Sequence, residues 1–547
     1  MSQITGGEAI VQALIQMGVD TIFALPGVQN DHLFNALHGV QDKIRVIHTR
    51  HEQATAYMAM GYSLALDKPG VYCVVPGPGV LNTTGALSTA YAVNAKVLCL
   101  TGQIASHTIG KNYGMLHEIP DQFGILERLT KWAGHIGKPE DAPQLVEEAF
   151  RQMLNGRPRP VALEFPQDVL SATADLNFPL NISYPKVDKP ELDLDAIGKA
   201  AKMLGEAKNP MIFVGGGATH AHEEVRELAE MLQAPVVPGR NGAGILSRDH
   251  PLSMVTPDGH KLWGEADVVI GIGSRMYAPL MRWGLDDELK IIRIDIDPEA
   301  ADTVVSPTVK LTADSQDALQ ALIELVPKHN RSRPSRADEM MAHRAAMNET
   351  YKQLEPQWSI NQAIQRALPE DGVIVDEVTQ IGFTARFMQP VRNLRSYIST
   401  GYQGTLGFGF ATALGTKVAL PDRPVINITG DGGFMYNVQE LSTAVRHNIN
   451  LCTILFADGA FGNVRRMQKQ DYDGKVIASD LHNPDFVKMA ESFGVKSQTA
   501  ESPEQLEKAI KENLKHDGPS LIVVPVSEMP SPWPISFPPP SRGSKSK

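Results

Sequence analysis

Cysteine is nearly absent from this chain. The three present, Cys73, Cys99 and Cys452, lie far apart within apolar stretches, so no disulfide framework and no CxxC pair can be read, and a reducing compartment is expected. Long hydrophobic runs are missing too, since nowhere do about 18 apolar residues follow one another, and a membrane-spanning helix is not expected. The opening MSQITGGEAI carries Glu8 and lacks a basic start leading into an apolar core, which is not the pattern of a secretory leader. A cytoplasmic location is the expectation. Positive charge is in the minority: 51 Lys and Arg face 62 Asp and Glu, a formal net charge of −11. That balance opposes nucleic acid and anionic membrane surfaces as partners.

What the chain does have is an ordinary globular make-up, 42% hydrophobic and 21% charged over 547 residues. At roughly 150 residues per domain, this predicts three or four domains with real cores. Short apolar runs ending in glycine recur: VLCLTG (97–102), MIFVGGG (211–217), VVIGIG (268–273) and VINITG (425–430). Each has the length of a buried strand, and helix-like segments such as QLVEEAFRQML and VQELSTAVRHN lie between them. The alternation predicts α/β domains with parallel, doubly wound sheets. Composition shifts at 177–192 and 328–339 read as linkers. They divide the chain into domains at 1–180, 190–328 and 345–528, followed by a proline-rich tail at 529–547. The prolines bar a long helix or central strand there. Trp533 and Phe537 are expected to pin the tail to the surface, leaving only its last few residues disordered.

The most informative motif is Gly430-Asp431-Gly432-Gly433, directly after VINIT, with Asp458 following 27 positions later at the end of CTILFA. One amphipathic helix between the two strands would put both carboxylates at the carboxyl edge of neighbouring parallel strands, where open α/β sheets bind ligands. The glycines would let backbone N–H groups approach an anion, and two hard oxygen ligands suit Mg²⁺ bridging to a diphosphate. A GDG by itself reads equally as a tight turn with a capping aspartate.

Over nearly its whole length the sequence resembles thiamine diphosphate-dependent enzymes, with the acetolactate synthase and benzaldehyde lyase branch the most similar. The resemblance rests on six blocks in order: RHEQATAYMAMGYSLA (50–65), PGPGVLNTTGAL (76–87), TGQI (101–104), TKWA (130–133), GTLGFGFATALG (404–415) and GDGGFMYNVQELSTAVRHN (430–448). It implies a pyrimidine-binding, a central and a diphosphate-binding domain. It also implies that Glu52 hydrogen-bonds the aminopyrimidine ring of the cofactor, so that the exocyclic imine can remove the thiazolium C2 proton and leave an ylide. An apolar setting is expected around a carboxylate with that task. Pro78 and Asn82 would lie near the pyrimidine, and Gly404 would offer it a carbonyl. Leu406 would force the cofactor into a V shape, and Thr379 and Gln380 would contact the diphosphate. Asp431, Asp458 and the carbonyl of Ala460 would hold the metal, with Gly430, Gly432, Gly433, Phe461 and Gly462 completing the cofactor site. Val28, Val75 and Leu116 would form the substrate pocket. Two subunits would build each site, making a homodimer or homotetramer.

Three departures limit the transfer. Position 458 is Asp where most relatives have Asn. GSRMYAPLMRWG (273–284) replaces the Arg and Asp-Asp-Arg pattern of flavin-binding synthases, which favours an empty nucleotide site over FAD. His117 and Leu116 replace the synthases' active-site Gln and Phe, and Gln29 stands where benzaldehyde lyase-like relatives place His. His117 reads either as a loop residue or as a proton shuttle in the pocket. The expected activity is making or breaking a carbon–carbon bond of 2-oxo acids, aldehydes or 2-hydroxy ketones. A flavin-linked 2-oxo acid oxidase and a non-catalytic paralogue are the competing readings.

Overall fold

The computed structural model describes residues 2–543. Three parallel sheets dominate it. The first holds strands Thr21–Ala24, Arg45–His48, Gly70–Val74, Val97–Gln103, Ala133–His135 and Val161–Pro166; the last holds Val373–Val375, Tyr397–Ile398, Val425–Gly430, Cys452–Ala457, Lys496–Thr499 and Ser520–Pro525. Both are ordered second, first, third, fourth, sixth, fifth. The central sheet, Pro210–Val214, Val236–Pro238, Val268–Ile272, Lys290–Asp295 and Val309–Thr312, is ordered second, first, third, fourth, fifth. Each order reverses direction between its first and third strands. That point opens a crevice at the carboxyl ends of the strands. A short antiparallel pair, Ser2–Thr5 with Thr173–Leu176, closes the N-terminal domain.

The glycine-terminated apolar runs are strands because their residues are buried on both faces, as every position of Val97–Gln103 and of 425–429 shows. Two outer domains share one core. Helix Glu52–Leu66 lies on helix Phe408–Ala419, and their buried residues form a single cluster with Tyr57 edge-on to Phe408. The helices approach so closely that a Cβ on Gly61 would stand 2.1 Å from the Thr412 carbonyl oxygen, and one on Gly415 2.0 Å from that of Met58.

Two expectations need correction. The single helix expected after GDGG is broken into a turn at Asp431–Phe434, a 3-10 turn at Val438–Glu440 and a helix at Leu441–Arg446. Asn437 is the cause: its backbone leaves the helical region, and its side-chain amide donates to the Gly407 carbonyl at 2.6 Å. The boundary expected at 345 cuts helix Ala337–Tyr351, which packs on the central domain. Met340 lies in the central core, and the Tyr351 hydroxyl donates to Asp258 at 2.7 Å. The described part of the tail, as far as residue 543, docks on the surface as its aromatic residues suggested. Trp533 starts a helical turn, donates from Nε1 to Asn463 at 2.9 Å and stacks on Phe537, and the Ser541 N–H reaches the Trp283 carbonyl of the central domain at 2.9 Å. Residues 544–547, where terminal disorder was expected, lie outside the described residues. No helix among the described residues is long and apolar enough to cross a membrane.

Candidate active site

The crevice of the N-terminal sheet is lined by loops that follow its first four strands. Glu52 is the first residue of its helix, capped by His51, whose Nδ1 accepts the Gln53 N–H at 3.2 Å. Asn82, at the end of helix Pro78–Leu81, donates to Glu52 Oε2 at 3.0 Å. Pro78 is exposed one turn earlier. Glu52 itself is half-buried, so the apolar setting expected around it is not furnished by this chain alone. Val28 and Leu116 are 63% and 60% exposed, while Val75 is buried at 7%. Val75 fills the space left by two glycines, since a Cβ on Gly27 or Gly79 would meet its methyl groups at 2.5 and 2.6 Å. Of the three residues expected to line the pocket, Val75 therefore packs beneath it.

Gln29 and His117 are brought together. Gln29 Nε2 donates to the Leu116 carbonyl at 3.0 Å, and His117 turns with a φ of 68° over Gly77, whose missing Cβ makes room for the His117 carbonyl. Gln29 Oε1 and His117 Nδ1 are both buried without a hydrogen-bond partner. Orphaned polar atoms of this kind mark a place for a polar ligand or water.

The crevice of the C-terminal sheet holds the carboxylates. Asp431 is buried, with Oδ1 accepting the Gly432 N–H at 2.8 Å and Oδ2 accepting the Gly459 N–H at 2.8 Å and the Asn483 amide at 2.6 Å. Asp458 accepts the Ala460 N–H at 3.1 Å and the Gln380 amide at 2.8 Å. Burial and the neighbouring charge of Asp431 push the Asp458 carboxyl up to about 6. Two carboxylates held against mutual repulsion could hold a cation, since Mg²⁺ takes one or two carboxylates beside phosphate and water oxygens. Ala460 is buried and Phe461 half-buried, with the Phe461 N–H on the Ser479 carbonyl at 2.8 Å. Thr379 caps helix Gln380–Met388. Gln380 is engaged by its own chain: besides Asp458 it meets the Ser527 carbonyl, the Met529 N–H and Arg466. Gly404 is exposed and Leu406 half-buried, while Gly430 and Gly462 flank the two carboxylates. The glycines at 432 and 433 also have packing reasons, because a Cβ would strike the Phe461 ring or the Glu377 carboxylate.

Glu377 was not singled out from the sequence. It is fully buried, accepts from Thr429 Oγ1 and the N–H groups of Gly407 and Gly409, and is pushed by burial up to about 7. The available signal was an acidic pair, Asp376-Glu377, directly after the strand VIV at the point where the strand order reverses. Asn437, Glu440 and Asn483 were also missed, the first two although they stand in the block 430–448.

Comparison with protein-family models finds the thiamine pyrophosphate enzyme N-terminal TPP binding domain over residues 4–125, the central domain over 197–322 and the C-terminal TPP binding domain over 377–524. The chain belongs to the thiamine pyrophosphate enzyme family. Among curated proteins it is 32% identical to a probable 2-ketoarginine decarboxylase of Pseudomonas aeruginosa over 95% of this chain and 93% of that one. It is 34% identical to a probable acetolactate synthase large subunit of Methanocaldococcus jannaschii (94% and 91%) and 30% identical to the acetolactate synthase isozyme 3 large subunit of Escherichia coli (94% and 93%). Both outer domains match models of TPP binding domains, so thiamine diphosphate is the cofactor of this enzyme.

Proposed function

We propose that the enzyme uses Mg²⁺ with thiamine diphosphate to decarboxylate a small 2-oxo acid, then joins the remaining acyl carbon to a second carbonyl or releases it as an aldehyde. One observation carries this reading: the Glu52–Asn82 pair stands at the carboxyl edge of one sheet, and the Asp431–Asp458 pair at the carboxyl ends of the third and fourth strands of its topological twin. Bound thiamine diphosphate supplies a nucleophilic thiazolium carbon and an electron sink, chemistry that no side chain offers. Asp431, Asp458 and the Ala460 carbonyl hold the metal. Pro78, Asn82, Gly404, Leu406, Thr379 and Phe461 surround the cofactor, and Glu52 Oε1, which Asn82 leaves open, holds and exchanges a proton. Gln29 Oε1 and His117 Nδ1 take the polar end of the substrate. Val28, Leu116 and Leu406 carry no charge, so they favour aliphatic or aryl donors with weak discrimination, on the order of 1–3 kcal/mol per methylene.

The competent unit is a homodimer or a homotetramer of such dimers. Glu52 is only half-buried and Val28, Tyr113 and Leu116 are exposed on one side, as are Tyr402 and Tyr436 on the other. A second chain covering these faces would give Glu52 the dry surroundings that its role requires. A cytoplasmic location is supported by three free, buried thiols. Mass spectrometry of products from a panel of 2-oxo acids and aldehydes, with both cofactors present, is the test. Aldehyde alone or a joined product assigns the fate of the acyl carbon, and no product from any donor defeats the proposal.

The flavin-linked oxidase finds little support in the central crevice. Gly215, Gly217 and Gly273 are explained by one turn packing on another, since a Cβ on Gly217 would lie 2.8 Å from the Gly273 Cα. Arg275 is already held by the Ala92 carbonyl at 3.1 Å and the Tyr402 ring. A yellow purified protein with bound flavin would reverse this judgement.

A further inference from the structure

Glu440 is fully buried, and no lysine or arginine side chain pairs with it among the described residues. Its Oε1 accepts the His51 N–H at 3.0 Å, both oxygens accept the Arg50 N–H at 3.1–3.2 Å, and Thr443 Oγ1 donates to Oε2. A buried carboxylate bound mainly by backbone N–H groups is costly unless those bonds are kept. Those two N–H groups belong to the residues immediately before Glu52, at the positive end of the helix that Glu52 begins. The contact continues outward, with Arg45 Nη2 donating to the His447 carbonyl at 3.2 Å.

On the other side, Glu440 ends the same short segment that starts with Asp431. Midway along it, Asn437 fixes the Gly407 carbonyl behind Leu406. Ten residues of chain therefore touch a candidate metal ligand, the loop bearing the candidate cofactor wedge, and the start of the Glu52 helix.

We propose that Glu440 is a positioning residue that braces Glu52 from the metal-binding segment of the same chain. Resting on the shared-site reading above, it follows that Glu440 joins two active sites. Its own chain's Asp431 serves one site, while the Glu52 that it braces serves the other.

The first test needs no cofactor. In Glu440→Ala, backbone amide exchange measured by mass spectrometry should rise about tenfold or more at Arg50 and His51, with Glu440→Gln intermediate. Unchanged protection in the peptide covering these residues would overturn the brace, and if Glu440→Ala does not fold, Glu440→Gln carries this arm alone.

The second test uses dimers of two differently tagged chains, reading deuterium exchange at C2 of added thiamine diphosphate with Mg²⁺. With Glu440→Ala and Asp431→Ala on one chain, the surviving site contains the unbraced Glu52, and exchange should be slowed about tenfold. With the two substitutions on opposite chains, the surviving site contains a braced Glu52, and exchange should match a dimer carrying Asp431→Ala on one chain only. Equal rates in the two pairings, or the reverse pattern, overturn the link between sites. Mixing a Glu52→Gln chain with an Asp431→Ala chain is the control. If no working site appears, the shared-site reading falls and the cross-subunit link with it, whereas the amide arm still decides the brace.

Discussion

At the scale of single residues, the carboxylates divide by what surrounds them. The Glu52 carboxylate accepts one hydrogen bond among the described residues, from Asn82, and stays half-buried, so Glu52→Gln should fold and bind cofactor normally while turnover falls by about 10² to 10⁴, the usual yield of one proton-transfer group. Exchange at cofactor C2 as fast as in the parent would remove Glu52 from that role. Asp431 is fixed by three donors and Asp458 is pushed up to about 6 beside it. Asp431→Ala should therefore abolish Mg²⁺-dependent cofactor binding, while Asp458→Asn keeps an oxygen ligand, relieves the repulsion and should be mild. Calorimetric titration with Mg²⁺ and thiamine diphosphate checks both, and a severe Asp458→Asn defect in a folded protein would mean that the second charge is required.

Glu377 makes a different prediction. Burial raises its carboxyl from 4.5 to about 7, so the folded state holds a proton there that the unfolded state has released. The resulting stability is fully present below about pH 4.5 and is lost as pH rises through 7. The cofactor-free parent should lose stability relative to Glu377→Gln between about pH 4.5 and 7, by about 1.4 kcal/mol for each unit that the carboxyl is raised. Parallel pH profiles in urea unfolding would show that Glu377 is ionised throughout. These buried groups also explain what the sequence hid. Glu52 and Asp431 were legible because each follows an apolar strand in a block shared with the family, and Asp458 because it closes the strand CTILFA 27 positions after Asp431. Glu440 stands in the same block as Asp431 but was passed over, because its long-range partners are backbone N–H groups 389 and 390 residues away, and a backbone donor leaves no trace in residue identity.

At the scale of elements, strands were readable from runs of apolar residues closed by glycine, and the parallel sheets followed. The segment after GDGG was misread as one helix because its apolar spacing is helical, whereas Asn437 and Glu440 turn away to bond partners elsewhere in the chain. Tertiary hydrogen bonds outweighed local propensity there. The packing of helix Glu52–Leu66 on helix Phe408–Ala419 shows the opposite case, where small residues in both blocks, Gly61 and Gly415, permit the crossing. Gly415→Ala would press a methyl into the Met58 carbonyl, which cannot swing aside as a side chain can. A destabilisation at or above the typical overpacking range of about 1–3 kcal/mol is expected in urea unfolding. A change below about 0.5 kcal/mol would show that the helices separate easily.

At the scale of the whole molecule, the tail is the element whose composition said least about its position. Proline content excluded a strand or long helix, but the docking depends on partners in two domains. Ser527 and Met529 reach Gln380, which in turn holds Asp458, whereas Trp533 meets Phe383 and Asn463, and Arg542 pairs with Asp286 of the central domain at 3.1 Å. The two stretches should therefore have separable effects. A chain ending at Pro532 loses the aromatic and central-domain contacts and should unfold at a lower temperature, yet bind Mg²⁺ and thiamine diphosphate as the full chain does. A chain ending at Val526 also frees the Gln380 amide to leave Asp458, and removal of such an outer support for a ligand typically weakens metal binding by about 10- to 100-fold. Calorimetric Mg²⁺ titrations of the two shortened chains distinguish these roles. Equal affinity in both would mean that Gln380 keeps its place without the tail, and that the last stretch of chain serves stability alone.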